Sequence, residues 1–180
     1  MNALKTELPG VLIIEPRVFG DDRGFFYESW NARDFEAAGV AASFVQDNHS
    51  RSAANVLRGL HYQIQRPQGK LVRVIAGEVF DVVVDLRRSS PTFGKWQAER
   101  LSAQNKRILW VPPGFAHGFL VTSDSAEFLY KTTDYWAAED ERTIAWNDPD
   151  LAIDWPLQGQ PVLSAKDAWG VPLARAEIYP

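Results

Sequence analysis

Glycine and proline divide this chain into short apolar runs, and that pattern excludes most folds. The 12 glycines and 11 prolines are spread over all 180 residues. Runs of this kind, rich in branched and aromatic residues and bounded by turn residues, are typical of β-strands. They lie at residues 11–19, 24–30, 43–50, 56–65, 70–77, 78–86, 95–101, 107–112, 115–122, 127–136 and 142–146. About eleven such strands predict an all-β sandwich or barrel.

Helical patterns are rare in the sequence. Residues 31–39 have one, with Asn31 as the N-cap and Gly39 as the stop. The pattern after residue 148 is weaker, and a helical turn is expected at 149–155 or at 164–170. Because a length of 180 residues suits one domain, we expect a single domain over residues 1–180. The tail from about residue 148 is expected to pack on it.

The composition excludes several classes of function. The absence of cysteine rules out disulfides, thiol nucleophiles and cysteine-bound zinc. A formal net charge of -4 and a pI of about 5.4 disfavour nucleic acid as a partner, since nucleic-acid binders are usually basic. No apolar segment has the length of a signal peptide or of a membrane span, which needs about 20 residues. We expect a soluble, cytoplasmic protein with no membrane partner, in which any anionic ligand meets local positive charge.

Alternation along the predicted strands puts His61, His117 and Tyr130 on faces that also carry apolar or aromatic residues. On its own, this pattern is more often that of a hydrogen-bonded core residue than of a catalytic one. Lys70 also shares a face with apolar residues. Its spacing alone slightly favours a lysine just outside the strand, whose charge reaches water. A gathering of all four groups in one cavity between two sheets would reverse these interpretations.

Three further expectations concern strand geometry. Arg58 has the opposite alternation to His61 and points outward unless Gly59 marks a bulge that redirects it, and both possibilities stay open. The sequence at Ala76 and Gly77 predicts a tight hairpin between the runs at 70–77 and 78–86. The second of these runs has an apolar face of Phe80, Val82, Val84 and Leu86, with Asp81 and Asp85 on the other face.

The segment "PPGFAHGF" at 112–119 contains P-x-G-x-x-H, the second half of the cupin signature. Metal-binding cupins carry His-x-His and a nearby Glu in the first half, and here "GLHYQ" has Gln63 at the second histidine position. A transition-metal site needs several imidazole and carboxylate ligands, and His61 with His117 are too few. We therefore expect no metal.

Seven segments carry a more specific pattern. They are "DDRGFFYESW", "QDNHSRS", "LRGLHYQ", "PQGKLVRV", "PPGFAHGF", "LYKTTDYW" and "LSAKDAWG". In unbroken order from about Pro9 to Gly170, they closely resemble the dTDP-4-dehydrorhamnose 3,5-epimerase family of the rhamnose pathway. The resemblance implies a cupin-type jelly-roll sandwich with one or a few short helices, which forms a homodimer and needs no metal or organic cofactor. It also implies an isomerase that converts dTDP-4-dehydro-6-deoxy-D-glucose to dTDP-4-dehydro-L-rhamnose.

The resemblance assigns roles position by position. It makes His61 the general base, Asp167 the carboxylate that orients it, and Tyr130 the proton donor on the opposite sugar face. Lys70 matches the residue near the developing enolate oxygen and also contacts substrate. The other matched substrate contacts are Arg23, Glu28, Gln46, Asp47, Asn48, Arg58, His117, Glu141 and Lys166. Trp136 stands where the family usually has a second tyrosine, at the position expected to stack on thymine.

These residue types suit an epimerisation through an enolate. An imidazole with a pKa near 6.5 accepts a proton at working pH, and a phenol with a pKa near 10 is protonated there and can donate one. A lysine in a water-poor cavity stabilises an oxyanion, and arginine pairs with the oxygens of a diphosphate.

Other functions stay open at this point. An epimerase acting at C3 only or C5 only, or a ketoisomerase of nucleotide sugars, would share the same cavity. A non-catalytic sugar-binding jelly roll would keep the arginines and aromatic residues, but it would not need His61, Asp167 and Tyr130 together. A metal-dependent cupin oxygenase is disfavoured by the missing ligands.

Overall fold

In the computed structural model, which describes residues 1–180, the apolar runs form two facing sheets. The strands are β1 (Asn2–Lys5), β2 (Leu12–Glu15), β3 (Phe19–Asp21), β4 (Gly24–Phe26), β5 (Gln46–Ala53), β6 (Leu57–Gln63), β7 (Lys70–Ala76), β8 (Glu78–Asp85), β9 (Trp96–Ser102), β10 (Ile108–Val111), β11 (Phe115–Val121), β12 (Ser125–Thr132) and β13 (Glu141–Thr143). The helices are α1 (Ala32–Ala37) and α2 (Ala165–Ala168), followed by a 3-10 turn at Leu173–Arg175.

One sheet has six strands in the order β1-β2-β10-β7-β12-β5, and the other has five in the order β13-β6-β11-β8-β9. Strands β3 and β4 form a separate hairpin. The predicted all-β sandwich with short helices is confirmed. None of the helices is long or apolar enough to cross a membrane.

Every predicted apolar run contains a strand, and two strands, β1 and β3, were not predicted separately, since the run at 11–19 reaches only the first residue of β3. Strand β1 is exposed along its whole length and has no apolar alternation to reveal it. It is held at the sheet edge by antiparallel pairing with β2. The predicted helix is confirmed as α1, since the Asn31 side chain accepts hydrogen bonds from the N–H groups of Arg33 and Asp34. Of the two possible helical turns in the tail, the one at 164–170 forms α2.

The expected hairpin at Ala76 and Gly77 is wrong. Strand β7 pairs with β10 and β12 in the six-stranded sheet, whereas β8 pairs with β11 and β9 in the other sheet. The chain turns from one sheet to the other at Gly77, which has a φ of +73. A Cβ at this corner would lie 1.9 Å from the Ser125 carbonyl oxygen, so the crossing needs glycine.

Strand β8 is buried on both faces, which explains its near-continuous apolar sequence. Val79 and Val83 pack in the core between the two sheets. Val82 and Val84 face the other way, into a second core between the five-stranded sheet and the C-terminal segment. Apolar residues of that segment against this core include Leu151, Ile153, Trp155, Leu157, Leu163 and Ile178. The apolar face predicted for β8 therefore lies under the C-terminal segment, and Asp81 points into the space between the sheets.

Candidate active site

A bulge in β6 determines which of its side chains face the space between the sheets. In the pairing with β11, His61 is opposite His117 and Arg58 is opposite Phe119, so three steps on β6 match two on β11. Gly59, at the bulge, has a φ of +117, in the region that favours glycine. The bulge reverses the alternation between Arg58 and His61, and both side chains line one cavity. This resolves the open question of where Arg58 points.

The two strands approach closely at the bulge. A Cβ added to Gly59 would lie 2.6 Å from the Cα of Gly118 and 2.8 Å from the His117 carbonyl oxygen. A Cβ on Gly118 would lie 2.6 Å from the Arg58 carbonyl oxygen. Two facing glycines therefore allow the backbone geometry that turns Arg58 and His61 to the same side.

A cavity of about 310 Å³ lies between the sheets. Eight residues matched to the family's site line it: Arg58, His61, Lys70, His117, Tyr130, Trp136, Glu141 and Lys166. The sequence analysis did not single out four others as site residues: Ser50, Gly118, Phe119 and Phe128. Three basic side chains, Arg58, Lys70 and Lys166, line the cavity with one carboxylate, so it is locally positive in a chain whose net charge is -4. Such a lining suits an anionic ligand with an apolar part.

His61 is held by the buried carboxylate of Asp167. Its Nε2 lies 2.6 Å from Asp167 Oδ1. Asp167 is 3% exposed and also accepts hydrogen bonds from Ser164 Oγ at 2.6 Å and from the Gly59 N–H at 3.0 Å. Burial acts to raise the pKa of Asp167, but these hydrogen bonds outweigh it and lower that pKa. Asp167 is therefore an anion that fixes one imidazole tautomer and leaves His61 Nδ1 free.

The protonation state of His61 follows from its surroundings. Burial lowers the pKa of the imidazole below 6.5, and the hydrogen bond to Asp167 opposes that shift. The positive charges of Lys166 and Lys70 lower the pKa further. A lowered pKa keeps the ring neutral at neutral pH, which is the form that accepts a proton.

Tyr130 lies on β12, in the sheet opposite His61, and lines the same cavity. Its ring packs against Phe128, with the ring centroids 6.0 Å apart. Burial raises the pKa of the phenol, the carboxylate of Glu141 raises it further, and Arg58 opposes the shift. The phenol is therefore firmly protonated at neutral pH and faces the imidazole from the other wall of the cavity.

Lys70 is the first residue of β7, where it pairs with Thr132 on one side and Val111 on the other. This register directs the side chain between the sheets, and Nζ lies 3.4 Å from the His61 carbonyl oxygen. The expectation that Lys70 reaches water from a position outside the strand is wrong. Burial lowers the pKa of its ammonium group to about 8, against the opposing effect of the Glu141 and Asp81 carboxylates.

Asp81 is the buried partner of the cavity residue His117; it was predicted to lie on the acidic face of β8 but was given no role. It is fully buried, and both its carboxylate oxygens lie near His117 Nε2, at 2.9 and 3.0 Å. Burial raises the pKa of Asp81, and His117 opposes the shift. Asp81 shares a strand face with Val79 and Val83, which both lie in the inter-sheet core, and this shared face is the signal that could have identified it.

Not all matched residues come together. On β5, Gln46 and Asn48 point inward, and the Asn48 Nδ2 is buried without a hydrogen-bond partner. Asp47 alternates with them and pairs with Lys131 on the outer face, 2.8 Å away. Arg23 lies on the β3–β4 hairpin beside Asp21, and Glu28 bonds with the Asn31 side chain. Five matched substrate-contact residues therefore do not line the cavity of their own chain: Arg23, Glu28, Gln46, Asp47 and Asn48.

The described residues contain no group of three or more histidine, cysteine, aspartate or glutamate side chains that could hold a metal ion. At the position where metal-binding cupins have a second histidine, the amide of Gln63 bonds with the backbone of Arg66, Tyr135 and Ala137. The expectation that this chain needs no metal or organic cofactor stays a prediction.

Comparison with known proteins gives a consistent result. The model of the family described as dTDP-4-dehydrorhamnose 3,5-epimerase matches residues 5–175. A Pseudomonas aeruginosa protein named dTDP-4-dehydrorhamnose 3,5-epimerase is 66% identical over 181 residues, covering 100% of both chains.

Solved structures agree with this match. That of dTDP-6-deoxy-D-glucose-3,5-epimerase from Legionella pneumophila, in complex with dTDP-4-keto-L-rhamnose, superimposes with a TM-score of 0.95 and 55% identity, covering 98% of this chain and 94% of that one. A more distant neighbour, a 3'-monoepimerase from Streptomyces bikiniensis in complex with dTDP-quinovose, has a TM-score of 0.88 and 31% identity, covering 94% and 86%. The chain therefore belongs to the dTDP-4-dehydrorhamnose 3,5-epimerase family.

Proposed function

We propose that this cavity converts dTDP-4-dehydro-6-deoxy-D-glucose to dTDP-4-dehydro-L-rhamnose, with His61 as the base and Tyr130 as the acid. The observation that carries the assignment is the placement of His61 and Tyr130 on opposite walls of one cavity, together with Lys70. An epimerisation needs a proton acceptor on one face of the sugar ring and a proton donor on the other. The enzyme is an isomerase of the dTDP-rhamnose pathway.

The first step is removal of a proton from a carbon next to the C4 ketone. The ketone acidifies the protons on C3 and C5, and His61 Nδ1 takes one of them. The electron pair of the broken C–H bond forms the carbon–carbon double bond of an enolate, and the carbonyl electrons move to the C4 oxygen. The ionised Asp167 stabilises the imidazolium that forms, as the aspartate of a catalytic triad does.

The second step returns a proton to the same carbon from the other face. Tyr130 donates its phenolic proton, the enolate collapses to the ketone, and the configuration is inverted. Between the two steps, the ammonium group of Lys70 stabilises the charge on the C4 oxygen. Loss of one such donor typically raises a barrier by about 3–4 kcal/mol. Before the second carbon reacts, His61 loses its proton to solvent and Tyr130 regains one.

The nucleotide part of the substrate accounts for the remaining lining residues. Arg58, whose Nε donates to Ser52 Oγ at 3.0 Å, is held in place to pair with a diphosphate oxygen. Lys166 adds positive charge beside Glu141, 2.8 Å from it. Trp136 offers a stacking surface for thymine, and its indole ring is larger than the tyrosine usual at this position.

Solvent exchange tests the proposed reaction. Given the keto sugar nucleotide in D₂O, the protein is expected to place deuterium at both C3 and C5, as nuclear magnetic resonance would show. Deuterium at one carbon alone would identify a monoepimerase, and the absence of label would identify a binding module. The double epimerisation is favoured because this chain is 66% identical to a named 3,5-epimerase and only 31% identical to a named monoepimerase.

We also propose that the enzyme is a homodimer in which Arg23 and Glu28 reach the partner's cavity. Both residues match substrate-contact positions of the family, yet neither lines the cavity of its own chain. The hairpin that carries Arg23 also exposes three large apolar side chains: Phe19 (50%), Phe25 (64%) and Phe26 (67%). Exposed aromatic residues around an arginine are typical of an interface.

Mixed dimers provide a test of this arrangement. Arg23→Ala is expected to lower kcat/KM about tenfold, and His61→Ala is expected to inactivate the enzyme. In a dimer of one variant with the other, one site combines an intact His61 with an intact Arg23 of the opposite subunit. Co-expression should therefore restore about a quarter of the wild-type sites. No restoration, or a monomer in sedimentation, would contradict a contribution in trans.

The proposed substrate agrees with the other predicted partners. Three basic side chains line the cavity of a chain whose net charge is -4, which suits a nucleotide sugar better than a nucleic acid. We propose the cytoplasm as the location, because nucleotide sugars are assembled there from nucleoside triphosphates.

A further inference from the structure

The loop between β12 and β13 carries Trp136 to the rim of the cavity. Backbone hydrogen bonds at Thr133 and Asp140 hold its two ends. In the middle, the N–H groups of Tyr135, Trp136 and Ala137 all donate to side chains instead of backbone. Trp136 is 58% exposed, so packing does not fix its position. The orientation of its ring depends on the side chains that hold the loop.

One buried amide holds the backbone on both sides of Trp136. Gln63 Oε1 accepts from the Ala137 N–H at 2.8 Å, and Gln63 Nε2 donates to the Tyr135 carbonyl oxygen at 3.2 Å. The same Nε2 donates to the Arg66 carbonyl oxygen at 2.8 Å. Gln63 is only 3% exposed, so water does not compete for these bonds. The two peptide groups that flank the indole are therefore fixed to β6.

A second amide acts on the same residue from the other sheet. Gln46 Oε1 accepts from the Trp136 N–H at 3.0 Å. Gln46 belongs to β5 and Gln63 to β6, so the loop is tied to both walls of the cavity. Gln63 itself does not line the cavity, and its effect on a ligand has to pass through the loop.

We propose that Gln63 is a positioning residue, which holds Trp136 over the cavity and thereby sets how tightly the enzyme binds the base of its nucleotide sugar. The inference rests on the stacking role given to Trp136 under the proposed function. If the stacking surface is already ordered before the ligand binds, the binding free energy is not reduced by the entropy cost of ordering that surface. Gln63 follows His61 by two residues on β6, so one strand aligns the base catalyst with the nucleotide-binding loop.

Removing the amide tests the role. Gln63→Met keeps the length of the side chain and removes all three hydrogen bonds. We expect the Kd for dTDP, measured by calorimetric titration, to rise about tenfold or more, while kcat at saturating substrate changes less than about threefold. The matched control is Gln68→Met, which removes one bond to the Asp134 carbonyl oxygen in the same loop. That variant should bind dTDP within about twofold of the wild type.

A double-mutant cycle separates positioning from general damage. Because Gln63 acts through Trp136, adding Gln63→Met to Trp136→Ala is expected to weaken dTDP binding no further. The inference would be overturned if the fold-changes in Kd of the two single variants multiplied in the double variant, or if Gln63→Met bound dTDP as tightly as the wild type. If Gln63→Met does not fold, Gln63→Glu keeps the acceptor, loses both donors and should weaken dTDP binding in the same cycle. Unchanged affinity in Trp136→Ala would contradict the stacking role, whereas deuterium uptake by the wild type tests the reaction independently.

Discussion

Replacing His61 with alanine is expected to lower the rate of epimerisation by about 10³-fold or more and to stop deuterium uptake at both C3 and C5. The reason is that His61 is the imidazole most accessible to a ligand on this wall of the cavity, with 23% of its side chain exposed. His117 lies opposite His61 on the neighbouring strand and also bonds a carboxylate, Asp81, through Nε2, but only 8% of its side chain is exposed. The measurement is nuclear magnetic resonance of the substrate incubated in D₂O with each variant.

Tyr130→Phe serves as the companion variant, because it removes the acid and leaves the base. His61 still removes a proton and returns a solvent deuteron to the same face. The substrate should therefore gain deuterium with its configuration retained, while inverted product falls sharply. Persistent exchange in His61→Ala would show that the base is assigned to the wrong residue. Loss of exchange in both variants would contradict the division of roles between the two walls.

Replacing Gly59 with alanine is expected to destabilise the fold by about 3 kcal/mol or more and to remove activity. The φ of +117 is unfavourable for any residue with a side chain, and the new Cβ would lie 2.6 Å from the Cα of Gly118. Backbone of β11 cannot move aside without breaking its pairing with β8. Urea unfolding of the variant and the wild type gives the change in free energy.

Gly159→Ala is the matched control for this substitution. Gly159 also has a positive φ, of +77, but a Cβ there would meet nothing within 4 Å. We expect Gly159→Ala to lower the free energy of unfolding by about 1 kcal/mol, which measures the effect of the positive φ without a steric clash. A Gly59→Ala variant as stable as the Gly159→Ala variant would show that β6 and β11 separate easily and that the bulge is not fixed by this contact.

Local sequence predicted the strands well, because alternation and turn residues act over a few positions. It failed where distant segments decide the outcome. Gly77 looked like a hairpin turn, yet the partners of β7 and β8 lie elsewhere in the chain. The apolar face of β8 looked like the inner face, but a C-terminal segment about seventy residues later covers it.

In the candidate site, too, local sequence predicted some side-chain positions and contacts between distant segments determined the others. His61, His117 and Tyr130 could be placed on apolar faces by alternation, whereas Arg58 could not, because the bulge at Gly59 depends on its contact with Gly118. Lys70 was placed just outside its strand because a charged residue is expected at a strand end, whereas β7 begins at Lys70 itself. The family resemblance supplied Asp167, which lies outside any strand. No local pattern could have shown that Gln63 fastens the loop of Trp136.

The pairing of His61 with Asp167 joins residues 106 positions apart in the chain. The jelly-roll strands, including the wall with Tyr130, are all complete by Thr143, before the aspartate has been reached. A polypeptide that ended between Thr143 and Asp167 would contain the His61 imidazole and the Tyr130 phenol, but it would lack the carboxylate that stabilises the imidazolium. Under the proposed mechanism, efficient proton abstraction therefore requires that α2 docks beside Gly59.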